Sequence, residues 1–203
     1  MFSRLTELFL KFPGIGPRQA KRFVYFLLRQ SPAFTKTLTE EIELLKKEHA
    51  QCPLCFRFFK NGGTQKICSI CENFKRDTSV LLIVGNDIDF ENIEKSGHFN
   101  GMYFILGDTL SVLEKEPEKK IRVKELLSVV GKRAKDGLKE IVLALSATQE
   151  GEYTAQYLKE RLFPLSKKHS LKISELGRGL STGTELEYSD SETLRNALQR
   201  RVS

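Results

Sequence analysis

The chain has 203 residues, 40% of them apolar and 29% charged, which suits one globular domain with an appended module or two small domains. No apolar run approaches the ~20 residues that span a bilayer. The opening Met1-Phe2-Ser3-Arg4 carries no secretory h-region, so a cytoplasmic location is expected and a membrane role is not. The net charge of +7 is unevenly spread: residues 1–76 hold 14 Lys/Arg against 6 Asp/Glu, and residues 77–203 hold 19 against 20.

That asymmetry points to a polyanion contact made by the N-terminal part. Nucleic acid is favoured over membrane because no basic amphipathic helix with Trp anchors is present. Charge alone leaves a merely solvated basic surface open.

Leu5, Leu8, Phe9 and Phe12 recur at helical spacing and predict a helix over residues 3–12. Two prolines and two glycines in Pro13-Gly14-Ile15-Gly16-Pro17 then demand a tight turn. A second helix is predicted over 17–29, with Pro17 at its first position. Ala20, Phe23, Val24, Leu27 and Leu28 form its apolar stripe, opposite Arg18, Lys21, Arg22 and Arg29. This arrangement resembles the helix-hairpin-helix DNA-binding motif. Glycines let the backbone approach a phosphate, the amides of Gly14, Ile15 and Gly16 would face it, and Arg18 and Arg22 stand one turn apart. Such contacts position DNA without reading its sequence. An ordinary helical hairpin with a glycine turn is the plainer alternative.

A third helix is predicted over 36–49, with Ile42 and Leu45 facing inward and His49 read as structural or solvated. The only cysteines of the chain follow as two C-x₂-C pairs, Cys52/Cys55 and Cys68/Cys71. Two such pairs complete a tetrahedral four-thiolate shell suited to Zn²⁺, one ion per chain. The shell is closed to substrate, so the ion reads as a folding staple. Two disulfides in a secreted chain is the alternative, disfavoured by the chain's size and the missing export signal. Aromatics after the first pair and Asn61-Gly62-Gly63 at a tip predict a small zinc-ribbon hairpin within 56–67. Phe56, Phe58 and Phe59 are expected to pack over the metal site; stacking on bases is the other reading.

From Val80 the pattern changes. The apolar runs 80–84, 102–106 and 141–145 suit strands buried on both faces, and 171–176 is a fourth. Helical stretches at 87–96, 121–136 and 152–164 alternate with them, predicting an α/β domain with a mostly parallel sheet. Functional residues are expected beyond the strands' C-terminal ends. The loop Ser146-Ala147-Thr148-Gln149-Glu150-Gly151-Glu152 resembles that of the Toprim domain. Catalytic Toprim proteins hold Mg²⁺ with a Glu after the first strand and with D-x-D and E-G-E in this loop. Here Gly85, Ser146 and Thr148 stand at three of those positions and only Glu150-Gly151-Glu152 matches. A degenerate Toprim fold without metal chemistry is expected. The alternative is a Mg²⁺-dependent nuclease or primase-like enzyme. A zinc-ribbon adaptor for protein partners is a third reading, which leaves the glycine turn and the basic N-terminal part unexplained.

Helix-hairpin-helix, four-cysteine finger and Toprim domain in this order resemble the bacterial recombination mediator family RecR. The segments 12–22, 52–77, 101–113, 147–155 and 179–190 carry the resemblance. It implies an α+β multidomain chain. Residues 1–51 would be the DNA-binding helical region, 52–77 the zinc finger, 78–176 the Toprim domain and 177–203 an oligomerisation segment. It also implies a non-enzymatic, non-sequence-specific DNA-binding protein that forms ring tetramers and acts with RecO and RecF to help load RecA on gapped, SSB-coated DNA. Arg18 and Arg22 match basic positions along the DNA path, and Glu150 and Glu152 match an acidic loop associated with RecO. Residues 184–188 resemble a Walker B-like region, but the chain has no G-x₄-G-K-[ST] loop to support ATP hydrolysis. Two departures stand out: a longer gap between the cysteine pairs, from which a further-projecting tip is expected, and the less acidic Gly85-Asn86-Asp87 strand end.

Overall fold

A computed structural model describes residues 3–61, 63, 65–177, 179–180, 183 and 185–199. Its contacts divide the chain into two units. One runs to Ala50 and takes in Lys60–Gly63; the other holds Gln51–Phe59 and the remainder.

The first unit is helical: α1 (Ser3–Phe9), α2 (Pro17–Leu28) and α3 (Pro32–Glu48). α1 stops short of the predicted residue 12 because its end tightens, with Lys11 and Phe12 N–H donating to the Leu8 and Phe9 carbonyls three residues back. The Phe9 ring meets Phe12 and Phe23 edge-on at 5.7 and 5.5 Å. α3 starts earlier than predicted because Ser31 caps it, its Oγ accepting from Phe34 N–H at 3.2 Å, with Pro32 at the first turn. Ile42 and Leu45 do not face inward: they are 57% and 60% exposed, and α3 buries no residue. Ala20 and Val24 are the buried apolar residues of this unit among those described, too small a core to cover a third helix.

The short strands β1 (His49–Gln51) and β2 (Phe58–Lys60) pair, and α4 (Ser69–Glu72) carries the second cysteine pair. The hairpin therefore does not turn at Asn-Gly-Gly as predicted. It turns at the first cysteine pair, where Cys52 N–H donates to the Arg57 carbonyl and Phe56 N–H to the Cys52 carbonyl, both at 2.9 Å. Gly62, at the predicted tip, lies outside the described residues.

The rest of the second unit is built on a parallel sheet of β3 (Asp77–Val84), β4 (Gly101–Ile105), β5 (Glu140–Ala144) and β6 (Lys172–Glu175), in the order β4-β3-β5-β6. All four predicted runs are strands. Leu82 stands opposite Tyr103 on one side and Val142 on the other. Between the strands lie α5 (Asp87–Ser96), α6 (Pro117–Lys120), α7 (Val123–Arg133) and α8 (Gln149–His169). Val123, Leu126 and Val130 of α7 and Ala155, Leu158 and Leu162 of α8 join Leu81, Ile83, Phe104, Ile141 and Leu143 in one buried cluster. On the opposite face Phe90 of α5 meets Tyr103 at 4.8 Å. α8 outruns its predicted 152–164 because Thr148 caps it, its Oγ accepting from Gly151 N–H, and because the chain turns only at Ser170 with φ +55°. A short helix α9 (Ser191–Gln199) closes the described chain. Of the predicted C-terminal segment, residues 178, 181, 182, 184 and 200–203 lie outside the described residues.

Candidate zinc centre and nucleic-acid interface

Both cysteine pairs fall in the second unit. The turn at Cys52–Cys55 delivers one pair. Cys68, in extended backbone before α4, and Cys71 within α4 deliver the other. All four are free thiols whose sulfurs lie within 4.8 Å of one another, with Cys55 and Cys68 Sγ 3.5 Å apart. A tetrahedral ZnS₄ shell with ~2.3 Å bonds asks for sulfurs about 3.8 Å apart, so the residues fit the ion. Hydrogen bonding, first from Cys55, holds Cys52 well below the ordinary thiol range, and hydrogen bonding first to Cys52 raises Cys55 and Cys71. Deprotonated sulfur is the form a metal takes.

The quartet is anchored to the sheet rather than to a free-standing ribbon. Ile105 N–H donates to the Cys55 carbonyl at 2.9 Å, and the Phe56 ring lies 5.2 Å from Phe104. Phe58 N–H donates to Asp87 Oδ1 at 3.0 Å, and the Arg57 guanidinium covers the Phe90 ring at 4.5 Å. Beyond α4, the buried Arg76 donates to the Gly101 carbonyl at 2.8 Å and pairs with Glu94. The three phenylalanines after the first pair thus part ways: Phe56 packs on the sheet core, Phe59 is buried, and Phe58 is exposed.

In the first unit, Gly14 has φ +74°, a left-handed turn that glycine adopts without strain. Ile15 N–H closes that turn on the Phe12 carbonyl at 3.2 Å, so this amide is used internally and does not face outward as predicted. Gly16 precedes α2 with extended backbone, and no side chain caps the helix. A Cβ on Gly14 or Gly16 would meet nothing within 4 Å, so the space before the turn is open. Arg18, Lys21 and Arg22 are exposed and make no ion pair among the described residues; Arg22 reaches only Gln19, at 3.4 Å. Uncapped amides, open glycines and unpaired cations at one helix start are the ingredients of a phosphate site.

The third predicted locus is the C-terminal rim of the sheet. Glu150 and Glu152 are exposed in the first turn of α8. Gly151 between them is pressed on the loop that follows β5: a Cβ there would overlap the Ser146 carbonyl oxygen. Asp89 Oδ2 lies 3.2 Å from where a Cβ on Gly85 would stand, but burial raises its pKa and disfavours the charged form. Among the described residues, the cysteine quartet is the group of three or more ligand residues that converges; these carboxylates form none.

Two positioning groups escaped the sequence reading. Thr154 is fully buried; its hydroxyl donates to the Glu150 carbonyl at 2.6 Å and accepts from Leu110 N–H at 2.8 Å, fixing the acidic turn to the loop after β4. Its position on the apolar stripe of Gly151, Ala155, Leu158 and Leu162 was the available signal. Arg122 donates to the Ile105 carbonyl at 3.1 Å and lies 5.6 Å over Phe56. Nothing in its local pattern marks it.

No helix among the described residues is long and apolar enough to cross a membrane. A Toprim domain profile matches residues 79–176, and one described as RecR, C-terminal, matches residues 179–202. The chain is 36% identical to Recombination protein RecR of Dehalococcoides mccartyi over 98% of its own length and 92% of the relative's. The protein of that name from Rickettsia bellii is also 36% identical, over 98% and 94%, and that from Lactobacillus acidophilus is 30% identical, over 99% and 96%. Shared along nearly its whole length, these likenesses place the chain in the Recombination protein RecR family.

Proposed function

We propose that this chain is a cytoplasmic, non-enzymatic DNA-binding mediator of recombinational repair, acting with RecO and RecF to help load RecA on gapped, SSB-coated DNA. The observation that carries the DNA reading is the open glycine turn beside Arg18, Lys21 and Arg22, cations that no carboxylate among the described residues engages. The relatives' name supports the pathway. Gly14 and Gly16 let a phosphate approach the start of α2, where the helix dipole and unfilled amides favour an anion. Arg18, Lys21 and Arg22 neutralise neighbouring phosphates without reading bases.

In this reading Cys52, Cys55, Cys68 and Cys71 hold one Zn²⁺, which supplies a structural cross-link and no open coordination position. Gly85, Ser146 and Thr148 at the sheet rim support the absence of Toprim metal chemistry, since neutral groups make poor Mg²⁺ ligands. Glu150 and Glu152, fixed through Thr154, are the proposed contact for RecO. A homo-oligomer, a ring tetramer, is supported by the uncovered apolar side chains of α3 and by the small core of the first unit. Residues 177–203 are assigned to that assembly.

The test incubates the zinc-loaded chain with gapped DNA and Mg²⁺ and resolves the products on native and denaturing gels. Shifted but intact DNA is the expected result. Strand cleavage or synthesis that copurifies with the chain would replace this reading with the Toprim enzyme.

A further inference from the structure

A groove of about 730 Å³ runs between the first cysteine turn and α7, within the second unit. That volume falls in the range of sites that take a ligand or a peptide's side chains. Two adjacent rows of α7 form one wall: Lys124, Ser128 and Lys132, and beside them Glu125, Val129 and Arg133. Leu54 and Phe56 form the other wall. The stretch of helix is roughly 13 Å long, room for about four residues of extended chain.

Phe56 is the informative residue. Its φ of +65° is a left-handed conformation that glycine adopts freely and phenylalanine does not. The ring is held in place by Phe104 at 5.2 Å and by the Arg122 guanidinium at 5.6 Å. The strained backbone thus fixes an aromatic wall in a groove that Val129 and the exposed Leu54 also line.

Charge selects the occupant. Lys132 and Arg133 make no ion pair among the described residues, whereas Lys124 is engaged by Glu118 at 2.8 Å. Glu125 and Asp136 also line the groove, so a phosphate backbone laid along it would meet two carboxylates. A peptide with one acidic group avoids that conflict and still answers the two free cations.

We propose that this groove docks a short segment of a partner protein, its apolar side chain seated between Leu54, Phe56 and Val129 and its carboxylate meeting Lys132 and Arg133. The site is distinct from the glycine turn and from the Glu150 loop. Such docking combines apolar anchoring with electrostatic selection of the partner.

The test selects a displayed random-peptide library on the zinc-loaded full-length chain. Enriched peptides should share an apolar residue and a nearby Asp or Glu. Ser128→Trp, at an exposed helix position, fills the groove. Lys132→Glu with Arg133→Glu reverses its charge. Each should weaken the selected peptides by at least ~10-fold, and the charge-reversed variant should lose the salt dependence of binding. Both variants should melt as wild type does and still shift gapped DNA, which separates this proposal from the DNA reading. The proposal is overturned by no enrichment, by peptides without an acid, or by peptides that bind both variants normally. It is equally overturned if binding of a labelled oligothymidylate falls on Ser128→Trp, which would give the groove to nucleic acid.

Discussion

Gly151→Ala and Gly131→Ala make the same chemical change in two helices and should have opposite effects. Replacing a helical glycine by alanine favours the helix by up to ~1 kcal/mol. At Gly131 in α7 an added Cβ meets nothing within 4 Å, so that gain should appear as a rise in melting temperature of roughly 2–4 °C. At Gly151 the Cβ would overlap the Ser146 carbonyl oxygen and stand 2.9 Å from its carbonyl carbon. Comfortable carbon–carbon contact is about 3.5–4.0 Å, so the start of α8 or the loop after β5 must move by roughly an ångström. Both obstacles are backbone, which cannot rotate aside. Forced overpacking of this kind costs about 3 kcal/mol, exceeding any helix gain. A net loss of roughly 2 kcal/mol should lower the melt by about 4–8 °C. Far-UV circular dichroism on zinc-loaded protein measures both variants. Gly151→Ala melting at or above wild type would refute the claim that this contact dictates glycine.

The remaining predictions concern the sites. Arg18→Ala with Arg22→Ala should weaken duplex binding and reduce the slope of log affinity against log salt by about 1.8, read by anisotropy titrations across a salt series; an unchanged slope removes this face from the DNA path. Cys68→Ser should abolish stoichiometric zinc and lower the melting temperature of the second unit, checked by metal analysis and calorimetry; wild-type melting would contradict a structural ion. Glu150→Lys should leave the melt intact and weaken RecO binding by surface plasmon resonance, and normal affinity would clear the loop of that role. Burial raises the pKa of Asp89 above the ordinary 3.8. The folded state therefore holds that proton more tightly than the unfolded chain, and stability falls as pH rises through the interval above 3.8. Asp89→Asn should flatten that part of a stability–pH profile and stabilise the chain at neutral pH, and an unaltered profile would show that the carboxyl is not penalised.

The sheet was legible because strands buried on both faces write continuous apolar runs, and each run from Val80 onward became a strand. The cysteine quartet was legible for a different reason: two C-x₂-C pairs constrain geometry before any fold is known. Less legible were what covers an apolar face, which of two local turns the backbone closes, and which side chains reach across the sheet's edge. The stripe holding Ile42 and Leu45 announces an apolar face but cannot say what covers it, and among the described residues of this unit both stay more than half exposed. Asn-Gly-Gly is a strong local turn signal, yet the hydrogen bonds of Cys52 and Phe56 made the turn elsewhere. The partners of Arg76, Asp87 and Arg122 lie across the sheet's edge, where no periodicity reports them.

The bonds between the cysteine segment and β4 have one more implication. β4 stands at the outside of the sheet, every one of its residues is buried, and its sequence is Gly-Met-Tyr-Phe-Ile. A bare edge of that kind recruits strands from other molecules. Here the Gly101 carbonyl is taken by Arg76, the Ile105 amide by the Cys55 carbonyl, and the Ile105 carbonyl by Arg122. The Cys55 carbonyl, together with Arg76 and Arg122, therefore covers this edge against pairing with other molecules. Oxidation of the cysteines, or chelation of the proposed zinc, would free one of these three groups, so self-association through a partly uncovered strand, rather than simple unfolding, is the expected hazard.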